Sequence, residues 1–187
     1  MKFPLQYLLI FLGIFIVYII YIYNRLVNLR NRCREAASDI EVQLKKRFDL
    51  IPNLLETVKG YMGHEAKVLK DVTEARTKFL QAQTSGDTKG QVESHNFLDQ
   101  TLKTLFAVAE SYPELKANVN FLELQKELRD IEDKIQAARR FYNAVVQEYN
   151  NFLEYFPNNI FASLFRFKPF EFFDIPTEEE QKVEVKF

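Results

Sequence analysis

The N-terminal part of the chain carries its longest apolar run. No charged residue lies between Phe3 and Tyr23, and about 20 apolar residues, at 1.5 Å each, span the ~30 Å hydrocarbon core of a bilayer. Tyrosines gather at the C-terminal end of the run, as in the aromatic belt of membrane proteins. Because the run does not end in the small residues of a cleavage site, it predicts an uncleaved transmembrane helix.

Apolar positions then recur at steps of three and four residues from Leu26 to Leu44. This spacing predicts one helix that leaves the bilayer and continues to about Arg47 without a linker. Pro52 is expected to interrupt this helix, because proline removes a backbone donor and clashes with the preceding turn. An unbroken second helix would be longer than the part of the first helix with which it pairs, so two alternatives stay open: a break near Gly60–Gly63, or Pro52 acting only as a kink.

Three further amphipathic segments follow, over residues 54–79, 91–110 and 121–156. A polar turn at residues 83–90 and the Tyr112-Pro113 pair separate them. Asn120 and Glu123 have the spacing of a capping box at the start of the last segment. That segment alternates three- and four-residue steps over five heptads, which is typical of left-handed helix-on-helix packing.

Short connections between such helices favour antiparallel neighbours. We therefore predict an all-α fold, in which the N-terminal transmembrane helix is continuous with an antiparallel (up-and-down) four-helix bundle and a Phe-rich C-terminal extension follows. The predicted domains are an anchor (1–24), the bundle (25–157) and the tail (158–187). This order places the turn at 84–90 and the end of helix four, near Phe156, on the membrane side.

Polar residues also follow a helical repeat on the first and fourth helices. We predict that they pair across the helices, Arg47 or Arg139 with Glu132 or Asp39, and fix the register of the bundle. The alternative is a solvated flank. The predicted register residues are Asp39, Gln43, Arg47, Glu132, Arg139 and Asn143.

The tail is unusually rich in phenylalanine and carries Arg166 and Lys168 among the apolar residues. Such an apolar patch is rarely exposed on a monomer, so three outcomes compete: folding back onto the bundle, self-association, and contact with lipid headgroups. The predicted contact residues are Phe161, Leu164, Phe165, Phe167, Phe170, Phe172 and Phe173. An acidic stretch at 177–181 and an alternating segment at 183–187 end the chain.

Composition and motifs argue against catalysis. The 25 basic and 26 acidic residues nearly balance, so nothing points to nucleic acid. The single Cys33 allows neither an internal disulfide nor a cysteine metal site. His64-Glu65 lacks the second histidine of a zinc-protease helix, since Val68 stands in its place, and His95 is the other histidine. We predict no enzyme activity, no cofactor, no metal and no small-molecule substrate.

Particular motifs resemble those of the LemA family of bacterial membrane proteins. The longest are QLKKRFDLIPNL at residues 43–54 and AESYPELKAN at 109–118, with YN at 142–143 and at 149–150 and FP at 156–157. The resemblance implies a single-pass anchor on an antiparallel helical bundle, without an established enzymatic activity. Some relatives are encoded beside a membrane-embedded zinc protease, and others belong to magnetosome membranes.

Charge on the two flanks of the anchor predicts its orientation. Arg25, Arg30, Arg32 and Arg34 follow the anchor, whereas Lys2 and the terminal amine precede it. The positive-inside rule places the N-terminus outside and the bundle in the cytoplasm. The resemblance implies that the membrane is the bacterial inner membrane. We expect a self-associating scaffold or adaptor that recruits membrane or cytoplasmic proteins, such as a membrane protease. A membrane-surface or membrane-shape organiser that contacts lipid through its Phe-rich tail is the alternative.

Overall fold

The computed structural model describes residues 5–62 and 65–173. Within these ranges the backbone forms helices and no strand, which confirms the all-α class with a long apolar N-terminal helix. The helices are α1 (Leu5–Lys59), α2 (Ala66–Ser85), α3 (Thr88–Ala109), α4 (Pro113–Lys116), α5 (Val119–Glu154) and α6 (Asn158–Leu164). The predicted start of the span at Phe3, His64, and the acidic and alternating segments near the C-terminus lie outside the described residues.

Helix α1 changes its surface character at Ile22. Before that point its large apolar side chains are exposed, with Phe11 68 % and Val17 66 % accessible. This segment makes α1 long and apolar enough to cross a bilayer, by length and composition. From Ile22 onward α1 buries a seam of side chains at three- and four-residue steps. The seam comprises Ile22, Leu26, Leu29, Cys33, Ala36, Ile40, Leu44, Arg47, Phe48, Ile51, Leu54, Leu55 and Val58.

Pro52 does not end α1, so the expected start of a second helix near residue 54 is wrong. The helix runs through the proline to Lys59 and α2 begins at Ala66, so the interruption lies near the glycines, after Lys59. Pro52 is exposed, while Ile51, Leu54 and Leu55 beside it are buried. Burial of several large side chains outweighs the ~3 kcal/mol that an interior proline costs a helix.

The structure divides into two compact units. The anchor unit comprises residues 1–39 and 137–187, and the bundle unit comprises residues 40–136. Helices α1 and α5 contribute residues to both units. The 83–90 region belongs to the bundle unit, whereas Phe156 belongs to the anchor unit.

Aromatic contacts show the up-and-down order within the bundle unit. Phe48 of α1 stacks on Phe79 of α2, with ring centroids 3.9 Å apart. Near the C-terminal end of α3, the Phe106 ring packs edge to face against the Phe121 ring of α5. Consecutive long helices in this unit are therefore antiparallel, as predicted. The connections are short, which leaves no other arrangement for neighbouring helices.

The turn between α2 and α3 is tighter than predicted. It consists of Gly86 and Asp87, because residues 83–85 end α2 and residues 88–90 begin α3. Gly86 has a φ of 71°, and the Asp87 amide closes onto the carbonyl of Ala82, which is a common way to end a helix. Asp87 caps α3 by accepting from the Gly90 amide, and a Cβ at Gly90 would lie 2.5 Å from its carboxylate.

The cap of α5 is Asn118 and not the predicted Asn120. The Asn118 side chain accepts a hydrogen bond from the Phe121 amide at 3.1 Å and donates to the Tyr61 hydroxyl. A side-chain oxygen can satisfy a free amide of the first turn only from the residue just before the helix. Because α5 begins at Val119, Asn118 is in that position.

We predict that Pro52→Ala stabilises the chain. The substitution restores one backbone hydrogen bond on an exposed helix surface, and we expect a gain of about 1–3 kcal/mol after the loss of proline's effect on the unfolded chain. Thermal unfolding in detergent, followed by circular dichroism, measures it. Pro113→Ala is the control, because Pro113 occupies the first turn of α4, where proline is favourable. A lower midpoint for Pro52→Ala would contradict the prediction.

Candidate functional site beside the apolar helix

A cluster of charged side chains is buried in the bundle unit. Arg47, only 4 % exposed, donates to Glu132 at 2.5 Å, forms an ion pair with Asp99, and lies 3.0 Å from Nδ1 of His95. His95 is fully buried. The cluster therefore joins α1, α3 and α5 through one guanidinium, whose planar fork suits two carboxylates at once.

The same carboxylates and imidazole could in principle bind a metal ion. One ligand atom each from His95, Asp99 and Glu132 lies within 4.8 Å of the others. However, the Arg47 guanidinium already bonds to all three. A metal ion would have to displace a buried cation that these side chains hold, so the arrangement as built is a structural ion cluster.

The remaining predicted register residues have different surroundings. Asp39 is exposed and Gln43 is half-buried. Arg139 is buried and its guanidinium lies 4.8 Å from the Phe173 ring centre. Of the predicted pairings, the structure brings together Arg47 and Glu132. His95 and Asp99 were not foreseen, although both lie on one face of α3 at a spacing of four residues.

In the anchor unit, α1 and α5 run antiparallel and are held by polar contacts as well as by their apolar seam. Arg25 and Arg32 both form ion pairs with Glu148, at 2.6 and 3.1 Å. These pairs are partly exposed and contribute modestly to stability. The Cys33 thiol donates to the Val145 carbonyl at 3.5 Å. Burial raises the pKa of this thiol, which keeps it protonated and unreactive at neutral pH.

Two asparagines of α5 hold the chain that follows α6. Asn150 accepts from the Phe170 amide and donates to the Phe170 carbonyl, at 3.1 and 2.9 Å. Asn143 makes the same pair of bonds with Phe173, at 2.8 and 3.2 Å. Each carboxamide thus replaces the neighbouring strand that an extended backbone would otherwise need. We call residues 167–173 the strap.

Two tyrosines of α5 also bind the strap. We call the four side chains Tyr142, Asn143, Tyr149 and Asn150 the clamp. The Tyr149 hydroxyl donates to the Lys168 carbonyl and the Tyr142 hydroxyl to the Glu171 carbonyl, both at 3.0 Å. Burial is the main reason that the pKa of each phenol is raised, so both stay protonated donors. Seven residues of helix rise about 10.5 Å and three extended residues span about 10 Å. The two Tyr-Asn pairs, which are seven residues apart on α5, therefore match strap residues that are three residues apart.

Aromatic packing follows the same three-residue repeat. The Phe170 ring meets Tyr149 and the Phe173 ring meets Tyr142, both edge to face. Phe167 contacts Tyr23 of α1, and the Arg30 guanidinium lies 5.1 Å from its ring centre. The Phe residues at 167, 170 and 173 are half-buried, whereas Phe172 is exposed.

Helix α6 lies beside the apolar segment of α1. Its Phe161 ring is 6.4 Å from that of Phe15, and the Phe165 ring is 5.1 Å from that of Tyr23. Ala162 faces inward and is buried. Ile160 (55 %) and Leu164 (69 %) of α6 are exposed, and so is Phe156 (81 %), which precedes the helix.

The predicted contact residues of the tail thus fall into three groups. Phe167, Phe170 and Phe173 face α1 and α5 and take the first of the three expected outcomes, folding back. Leu164 and Phe172 point outward, and Phe161 and Phe165 contact the apolar segment of α1. The repeated Tyr-Asn pair is the feature of the sequence that marks the strap-binding residues, since both tyrosines and both asparagines bind the strap.

We predict that Arg47→Ala lowers the free energy of unfolding by about 3 kcal/mol. Removing the cation leaves His95, Asp99 and Glu132 facing one another without it, and breaking a buried pair typically costs 3–5 kcal/mol. We expect the lower end because Asp99 and Glu132 keep about a quarter of their side-chain surface exposed.

Chemical denaturation in detergent measures this loss. Lys46→Ala is the matched control, since Lys46 is the exposed neighbour on α1 and such substitutions stay within about 0.5 kcal/mol. Equal stabilities for the two variants would show that the cluster does not hold the bundle unit together.

Comparison with known proteins connects these features to a family. The pattern of the LemA family matches residues 36–187. Protein LemA of Metamycoplasma hominis is 27 % identical over 187 residues, covering 95 % of this chain and 84 % of the relative. Magnetosome protein MamQ 2 of Paramagnetospirillum magneticum is 23 % identical, and MamQ of Magnetospirillum gryphiswaldense 22 %, each over 85 % of this chain and 67 % of the relative. Neither name is that of an enzyme, and the apolar N-terminal helix is compatible with membrane anchoring. The chain belongs to the LemA family.

Proposed function

We propose that this protein is a membrane-anchored, non-enzymatic helical scaffold that self-associates and recruits other membrane or cytoplasmic proteins. The continuity of α1 is the observation that carries the proposal. The same helix exposes apolar side chains up to Tyr21 and buries a seam from Ile22 to Val58. A helical surface would therefore be joined to the bilayer without a flexible linker.

The use of the charged groups supports a binding role over catalysis. The most deeply buried charges, around Arg47, are paired with one another and act on packing. Exposed apolar side chains outside the apolar segment include Phe141 (51 %) on α5 and Val119 (66 %) and Leu122 (46 %) at its start. Aromatic and apolar side chains of this kind are the usual anchors of protein contacts.

Orientation and location belong to the same proposal. The basic residues that follow the anchor favour a bundle in the cytoplasm and an N-terminus outside the inner membrane. Two of them, Arg25 and Arg32, are partly exposed while they pair with Glu148. A membrane protease is one partner that this placement would bring within reach.

Site-specific photocrosslinking of the full chain in native membranes tests the scaffold role. A photoreactive amino acid replaces Phe141, and we expect adducts at multiples of the chain mass together with adducts to other proteins. The same group in place of the buried Ile135 is the control, since that side chain is inaccessible. A chain that gives no protein adducts from Phe141 and is strictly monomeric in mild detergent would contradict self-association.

A second candidate function is the organisation of the membrane surface, and the outward side of α6 favours it. Phe156, Ile160 and Leu164 are exposed beside the apolar segment of α1. We expect the full chain, reconstituted at high density, to alter vesicle size and shape in electron micrographs. The triple variant with serine at these positions should leave the vesicles as they are without protein. Identical vesicles with both proteins would exclude this role.

A further inference from the structure

We propose that α6 is a lipid-contacting element that the strap holds at a fixed depth in the headgroup region, with Phe156, Ile160 and Leu164 in contact with acyl chains. This inference deepens the second candidate function, because it names the residues and their partner. It also divides residues 155–173 into a lipid-facing part, residues 155–166, and a positioning part, residues 167–173.

The level of α6 along α1 supports lipid as the partner. Phe161 contacts Phe15 and Phe165 contacts Tyr23, so α6 lies alongside the C-terminal half of the predicted span. Phe15 precedes Tyr23 by eight residues, which corresponds to about 12 Å along a helix. Interfacial helices bury their apolar side by about 5–10 Å. A helix beside Phe15–Tyr23 would therefore reach that depth if α1 spans the bilayer.

The exposed surface of α6 continues that of α1. At the same level, the α1 side chains of Val17, Tyr18 and Tyr21 are exposed. Ile160 and Leu164 are four residues apart in α6, so they lie on the same side of the helix. A second copy of the chain would have to cover the apolar side of α1 as well, whereas a bilayer covers both at once. This continuity makes lipid the simplest occupant.

Charges at the end of α6 fit anionic headgroups. Arg166 and Lys168 are both exposed. Basic residues near an anionic surface gain about 1 kcal/mol each.

The clamp explains how so short a helix could keep its position. The chain leaves α5 at Glu154, forms α6, and returns to α5 where Tyr149 and Asn150 bind Lys168 and Phe170. Residues 155–166 are thus a loop whose two ends are both fixed to the same helix. Closing the loop reduces the conformational entropy that α6 would otherwise lose on entering the interface.

Fluorescence depth measurement on the full chain in vesicles with anionic lipid tests the proposal. With Cys33→Ala as background, single substitutions Ile160→Cys and Leu164→Cys carry an environment-sensitive dye, and Lys126→Cys, exposed in the bundle unit, is the reference. We expect spin-labelled lipid to quench most of the emission at 160 and 164 and little at 126, with iodide showing the reverse order.

The clamp is tested in the same assay. In the double variant Asn143→Ala/Asn150→Ala we expect lipid quenching at 160 to fall several-fold, while Asn151→Ala, an exposed neighbour on α5, leaves it unchanged. Flotation of every variant with the vesicles shows that α1 still anchors the chain. The circular dichroism of each variant shows that its helices are intact.

The outcomes separate this proposal from the scaffold role. Iodide quenching at 160 and 164 equal to that at 126 would place α6 in water and overturn the proposal. Protection from both iodide and spin-labelled lipid would place α6 against protein and also overturn it. Retained lipid quenching in the double variant would overturn the positioning role of the clamp. None of these results depends on whether Phe141 forms crosslinks to other proteins.

Discussion

The burial of one side of α1 is the constraint on which the rest of the structure depends. Its seam from Ile22 to Val58 passes through residues of both compact units. In the bundle unit the seam packs with α2, α3 and the start of α5, and in the anchor unit with the end of α5. Because each buried side chain adds to the same helix, a single unfavourable residue such as Pro52 cannot end it.

Polar groups have different uses in the two units. In the bundle unit they are paired side chain to side chain around Arg47, in one cluster that joins α1, α3 and α5. The anchor unit has the ion pairs of Arg25 and Arg32 with Glu148 and adds a second arrangement, in which Asn143, Asn150 and both tyrosines bind amides and carbonyls of the strap. The first arrangement restrains helices and the second restrains an extended segment that has no sheet to join.

Sequence periodicity predicted the helices well because packed helices repeat their apolar residues. It also included Arg47 with Glu132 among the possible pairings, because charged residues in phase with a buried seam need partners. It did not show that α1 continues past Pro52, since the sum of many buried side chains decides that question. The roles of His95 and Asp99 depend on the rotation of α3 about its axis, which a pattern with several apolar residues leaves undetermined.

The strap was harder to predict for a physical reason. An extended segment is usually recognised by alternating apolar and polar residues. In the strap every third residue faces inward instead, because its partner is a helix whose binding residues repeat every seven positions. The clamp binds the backbone of the strap and contacts the rings of Phe170 and Phe173, and Pro169, which has no amide hydrogen, stands where no amide is bound. The side chains of Pro169 and Glu171 are exposed and lie outside this pattern, so single spectroscopic labels could be introduced there while the peptide path stays intact.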